Sequence, residues 1–271
     1  MSILQAILLG FLQGATEFIP VSSSGHLVLV PWLLGWAPPP LAFDTTVHWG
    51  TLVAVFAVFW RDLWGLLRAW LISLRRRSLA DPQARLAWAI LLGSLPAALA
   101  GVLLGDFFER LFGQPIAAAS FLLITALILT VSERVGRCRR PLWSIGGMDA
   151  LLIGLAQAAA ILPGISRSGA TIATGLAREI EREAAARFSF LLSVPVILGA
   201  GLVKLLDLAQ AGSLAAQAPT LLVGFLVAAL TGYLAIRWLL AFLQRRPLYV
   251  FALYCAAFGL LNLVIALARG G

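Results

Sequence analysis

Three ionisable residues stand in otherwise apolar sequence, each beside a run of small or hydroxyl-bearing residues. Glu17 lies in Gln13-Gly-Ala-Thr-Glu17-Phe-Ile-Pro20, and His26 closes the run Pro20-Val-Ser22-Ser23-Ser24-Gly25-His26. Arg167 lies in Pro163-Gly164-Ile-Ser166-Arg167-Ser168-Gly169-Ala-Thr171. An ionisable side chain inside a membrane costs roughly 2.5–3.5 kcal/mol, so each is a functional candidate. A guanidinium offers forked donors that match phosphate oxygens. Gly164 and Gly169 let the backbone approach an anion, and a helix starting near Gly169 would aim its amides at one. Ser22, Ser23, Ser24 and Gly25 supply a second donor-rich turn. With Ser166, Ser168 and Thr171, two such turns could grip a diphosphate from both sides.

Each of these residues has a plainer reading. Gln13 and Glu17, spaced i,i+4, share a helix face. They could hold a hard cation such as Mg²⁺ together with substrate phosphates. Glu17 could instead be a general base, or a carboxylate hydrogen-bonded to a neighbouring turn, and Arg167 could simply pair with it as structural glue. His26 could move a proton near neutral pH, attack phosphorus, or only orient other groups. His48, in the stretch 43–51 at one end of an apolar block, reads as structural, with the mouth of a site as the other option. Asp149 reads as a helix cap and Lys204 as a snorkelling residue.

These groups must be positioned by membrane helices. Of 271 residues, 61% are hydrophobic and 12% charged, about half the charged share of a soluble domain. Residues 41–60, 86–105, 115–132, 188–206, 217–236 and 248–268 form apolar blocks near the roughly 20 residues that cross a bilayer. The net charge of +8 would suggest nucleic acid in a soluble chain. Here it sits in short loops, 61–85 and 133–147, and at Arg237, Arg245 and Arg246, which assigns those loops to the cytoplasm and 106–114 to the outside. Trp60, Trp64 and Trp238 flank the charges as interfacial anchors would. Cys138 and Cys255 fall in a loop and a span, which argues against a disulfide, and no Cys/His cluster suggests zinc. The N-terminus lacks the basic start of a signal peptide.

Segments 1–36 and 148–178 are apolar at both ends but broken by Pro, Gly and Ser. Backbone freed in this way must be buried in protein or line a wet cavity. Two re-entrant helical hairpins whose turns meet inside the membrane are therefore predicted. Gly10, Gln13 and Gly25 align with Gly154, Gln157 and Gly169, and three spans follow each hairpin. The predicted fold is an all-α polytopic membrane protein, one domain over 1–271. It is an inverted-topology repeat, 1–140 and 141–271, with its site between the halves.

The Gln13–Glu17 and Pro20–His26 runs, and the match of Pro163–Thr171 to Pro-Gly-x-Ser-Arg-Ser-x-x-Thr, resemble the signatures of the undecaprenyl-diphosphate phosphatase (bacitracin-resistance protein) family. The resemblance extends over the whole chain in length, span count and motif placement. It implies hydrolysis of undecaprenyl diphosphate to the monophosphate and inorganic phosphate, which recycles a cell-wall lipid carrier. It implies a divalent cation, Mg²⁺ or Ca²⁺, and a site in the bacterial cytoplasmic (inner) membrane open to the outer side. Its functional positions map onto Glu17, Ser23, His26, Ser166, Arg167 and Thr171, while Gln13 stands where many members carry Glu. The partners to expect are the polyprenyl lipid, the phospholipid bilayer and a homodimer, and no nucleic acid. The rivals are a transporter or flippase for a polyprenyl phosphate or other anion, and a structural scaffold that would leave the buried Glu and Arg unexplained.

Overall fold

The computed structural model describes residues 1–211 and 214–269, with side chains outside 205–216. Every regular element among them is helical, apart from one isolated bridge between Arg140 and Ile180. The order is α1 (Ile3–Phe18), α2 (Ser23–Leu33), α3 (Leu41–Arg76), α4 (Pro82–Leu103), α5 (Gly105–Phe112), α6 (Pro115–Val135), α7 (Gly147–Ala159), α8 (Arg167–Ala177), α9 (Arg182–Ala211), α10 (Leu214–Leu243) and α11 (Tyr249–Ala268). Six of these, α3, α4, α6, α9, α10 and α11, contain stretches long and apolar enough to cross a membrane. Leu99, Val102, Leu127, Leu230 and Leu253 stand exposed on them, a belt that only a lipid surface would cover. The chain is an all-α polytopic membrane protein.

Both interrupted segments fold as helix–turn–helix, and the sequence shows why. A Ser2–Gln5 capping box starts α1. The helix stops at Phe18 because Ile19, preceding Pro20, is pushed to extended φ/ψ of −63° and 133°. Ser22 then caps α2 by accepting the Gly25 N–H at 3.2 Å. In the second hairpin the chain turns through Gly164 at φ 102°, where a Cβ would lie 2.2 Å from the Ala118 carbonyl. Ser166 caps α8 by accepting the Gly169 N–H at 3.0 Å. The two turns meet: Gly25 packs against Gly164, and Ser168 Oγ reaches the Ile19 carbonyl at 3.4 Å.

Each hairpin's first arm lies on the middle long helix of the other half, α1 on α10 and α7 on α4. Small residues bring these backbones together. A Cβ at Gly10 would stand 2.8 Å from the Gly224 carbonyl oxygen, and one at Gly154 would stand 2.2 Å from that of Gly93. The aligned pair Gly10 and Gly154 thus occupies matching contacts.

Some boundaries differ from expectation. The basic stretch 61–85 is mostly helix: α3 kinks at Phe59 (φ −108°, ψ 18°) and runs on to Arg76, since nothing in 61–76 breaks a helix. The stretch 106–114 is largely α5. Asp149 does cap α7, accepting the Gly146 N–H at 3.1 Å, and also pairs with Arg140 at 2.6 Å and Arg178 at 2.7 Å. The end of the expected second repeat, residues 270–271, lies outside the described residues.

Gly154→Ala should force α7 and α4 apart and lower Tm in detergent by roughly 4–8 °C, the size expected of a close-packed overlap. Gly101→Ala, whose Cβ meets nothing within 4 Å, should leave Tm unmoved. Thermal unfolding of the two variants side by side checks this.

Candidate functional site

Where the turns meet they floor a chamber of about 730 Å³, walled by α2, α3 and α9 and reached by Glu109 and Phe112 of α5. Glu17, Ser22, Ser23, Ser24, Ser166 and Arg167 line it, with mostly apolar walls that include Leu27, Trp32 and Ile197.

Its chemical centre is Glu17, 7% exposed at the end of α1. Oε1 accepts from Arg167 Nη2 at 2.7 Å. Oε2 accepts from Ser23 Oγ at 2.5 Å and from Gln13 Nε2 at 3.0 Å. The ion pair that could be structural glue is therefore made, and both of its members also face the chamber. Arg167 is steadied from behind by the Ser189 carbonyl at 3.3 Å. Thr171 Oγ1 contacts Ser189 Oγ at 2.6 Å and the Arg167 carbonyl at 2.7 Å, so it supports the turn and does not line the chamber. Gly25, Gly164 and Ser168 likewise build the junction from behind, with Ser168 Oγ 3.2 Å from Ser166 Oγ.

Two more of the expected residues sit away from the chamber. His26 is 1% exposed. Its Nδ1–H donates to the Ser22 carbonyl at 2.7 Å, and in the neutral ring Nε2 accepts the Tyr254 O–H at 2.7 Å. The imidazole is stacked on Phe258, with centroids 4.8 Å apart. Both nitrogens are occupied, and His26 does not line the chamber. Gln13 is fully buried behind Glu17 and turns its amide N–H, not its oxygen, toward it.

Three side chains read as structural or snorkelling, or left unassigned, do reach the chamber. His48 Nε2 lies 3.9 Å from Glu17 Oε2, Asp44 Oδ1 lies 3.6 Å from His48 Nδ1, and Lys204 Nζ lies 3.5 Å from Asp44 Oδ2. The i,i+4 spacing of Asp44 and His48 was the available signal. Sequence reading also missed Thr125, which accepts the Ser166 N–H at 3.1 Å and donates to the Gly164 carbonyl at 2.9 Å.

The fit of a cation can be judged from the donor set. No cluster of three or more His, Cys, Asp or Glu suited to a metal occurs among the described residues. A carboxylate offers about four lone-pair sites, and three donors already occupy Glu17. One position on Oε1 remains, while the unpartnered oxygen of Gln13 does not line the chamber. Glu17 therefore fits a cation that arrives with phosphate oxygens supplying most of its shell.

A family model described as bacitracin resistance protein BacA matches residues 6–261. The chain belongs to the BacA family. Similar proteins include the undecaprenyl-diphosphatase of Thermomicrobium roseum, 47% identical over an alignment of 278 positions that covers 99% of this chain and 100% of the relative. That of Rubrobacter xylanophilus is 48% identical over 270, covering 98% of each. That of Methanosphaera stadtmanae is 42% identical over 276, covering 98% and 99%. In this BacA family member both hairpins, and hence the whole chamber floor, lie within or close to the matched region.

Removing one partner from a buried ion pair strands the other charge, at about 3–5 kcal/mol. Arg167→Met should therefore lower thermal stability sharply, and adding Glu17→Gln should recover much of the loss. A double-mutant cycle on unfolding in detergent measures this coupling; additive effects would mean that the pair carries no stability.

Proposed function

We infer that this protein hydrolyses undecaprenyl diphosphate to undecaprenyl phosphate and inorganic phosphate, the activity named for its relatives. Such turnover regenerates the lipid carrier for cell-wall synthesis and opposes bacitracin, for which the family is named. The observation that carries the reading is Ser23 Oγ held 2.5 Å from Glu17 Oε2, beside Arg167, at the floor of a largely apolar chamber.

The geometry favours Ser23 as nucleophile. As its oxygen attacks the terminal phosphorus, Glu17 takes the proton, the bridging P–O bond breaks, and the prenyl phosphate leaves. Water then attacks the phosphoserine: the P–Oγ bond breaks, Ser23 takes back the proton held by Glu17, inorganic phosphate leaves, and the proton lost by the attacking water passes to solvent. A hydroxyl paired with a fixed base is the usual arrangement of an activated nucleophile. Arg167 matches the charge on the transferring phosphoryl oxygens, the largest task in phosphoryl transfer. Bound Mg²⁺ or Ca²⁺, held by Glu17 and phosphate oxygens, would add to that charge stabilisation. Ser22, Ser24 and Ser166 offer further donors, and His26 positions the first turn through Ser22.

We place the protein in the cytoplasmic membrane with the chamber open to the outer face, a reading supported by the basic loops. The matched contacts of Gly10 and Gly154, and the matched caps Ser22–Gly25 and Ser166–Gly169, support an inverted repeat of 1–140 and 141–271.

Ser23→Ala and Glu17→Gln should each lower phosphate release from a C15 prenyl diphosphate by about 10²–10⁴-fold, and EDTA should lower it in the wild type. Acid quenching with terminally labelled substrate should leave label on Ser23. Release without a labelled enzyme would move the attack to water. A folded wild-type protein that binds lipid but releases no phosphate would sink the hydrolase reading and favour transport.

A further inference from the structure

One wall of the chamber carries donors that the hydrolysis scheme leaves unused. Threonines in these helices usually satisfy their hydroxyls on the carbonyl one turn back, as Thr16 does on Leu12 at 2.6 Å and Thr46 on Ala42 at 2.7 Å. Thr45 does not. It is 3% exposed, it lines the chamber, and its Oγ1 has no partner. Trp49 lies four residues on, on the same face of α3, and its indole N–H is also buried, unpartnered and on the chamber wall. The indole edge rests on α9, where a Cβ at Gly201 would meet Nε1 at 2.7 Å. Lys204 follows Gly201 by one helical turn and also lines the chamber, its ammonium held by a single 3.5 Å contact to Asp44.

Buried donors without acceptors are costly, and native structures leave few of them. Two neutral donors and an ammonium on facing helices call for an acceptor-rich anion, and a tetrahedral phosphate has the oxygens to meet all three. The wall begins one side chain from the reacting centre, since His48 spans from Asp44 to within 3.9 Å of Glu17.

We propose that Thr45, Trp49 and Lys204 form a second phosphate subsite, next to the one built by Ser23 and Arg167. It rests on the hydrolase reading and adds where a phosphate other than the reacting one is held. That phosphate is either the lipid-bearing phosphate of the substrate or the inorganic phosphate after release. Phosphate oxygens replace Asp44 at Lys204 and take the two orphan donors; with the lipid-bearing phosphate as occupant, a diphosphate is gripped at both of its phosphorus centres.

The test uses the full chain in detergent with a C15 prenyl diphosphate as substrate, and C15 prenyl monophosphate and inorganic phosphate as inhibitors. Thr45→Val keeps the shape and deletes the hydroxyl, and Lys204→Gln deletes the charge. If the subsite holds the lipid-bearing phosphate, each should raise KM by about tenfold, the loss of one good polar contact. Each should shift kcat by less than about twofold, as the loss of ground-state binding does. Thr45→Ser and Lys204→Arg should stay near wild type. If the occupant is the lipid-bearing phosphate, the inhibition constant of the prenyl monophosphate rises in step with KM. If it is the released ion, that of inorganic phosphate rises instead. Variants with KM and both inhibition constants at wild-type values overturn the subsite. Should the wild type release no phosphate, the hydrolase reading fails on its own. Calorimetric binding of the prenyl monophosphate to wild type and Thr45→Val then still decides the subsite.

Discussion

The Glu17–Arg167 contact joins residues 150 positions apart in sequence, and much of the structure can be understood as what it takes to keep that pair in an apolar setting. A lone charge there is prohibitively costly, whereas a paired and hydrogen-bonded one is tolerated. Pairing requires the two hairpin turns to touch, and touching requires backbones that lack bulk where they meet. Gly25 against Gly164 supplies that at the junction, and Thr125 and Ser189 tie down the turn that carries Arg167. The pair bridges the two turns at the floor of the chamber, and its outer surface is also what a phosphoryl group would meet.

The residues around it divide by depth. Glu17, Ser23 and Arg167 face the chamber. Gln13, His26, Ser168 and Thr171 stand behind and fix the facing groups through hydrogen bonds. A motif containing both kinds looks uniform in sequence, because spacing says which residues are near one another and not which way each side chain points. His26 illustrates this: its residue type suggested chemistry, while the aromatic stack with Tyr254 and Phe258 comes from α11, more than 220 residues away.

What was legible in the sequence was whatever a local rule controls. Pro20, Pro163, Gly164 and the serine caps interrupt helices wherever they occur, so both hairpins could be read, as could the six apolar spans. What was not legible depends on helices crossing. Asp44, His48 and Lys204 looked like span-end residues because nothing local reveals that α3 and α9 converge beside Glu17. The helical continuation from 61 to 76 was hidden for the opposite reason: arginines signal a membrane boundary, but they are also good helix formers. Gln13 turns its amide nitrogen and not its oxygen toward Glu17, an orientation that the i,i+4 spacing alone does not reveal.

The packing of α1 on α10 carries a cost in time. Gly10 finds its seat against Gly224 only after the ribosome has made roughly 200 more residues, on the order of 10–40 seconds at typical synthesis rates. Until Arg167, 150 positions after Glu17, has been made, the first hairpin also holds an unpaired carboxylate and an unfinished turn. The arm made first is thus seated late. The nascent chain must be shielded from degradation and from mispairing through the interval in which its first hairpin has no partner.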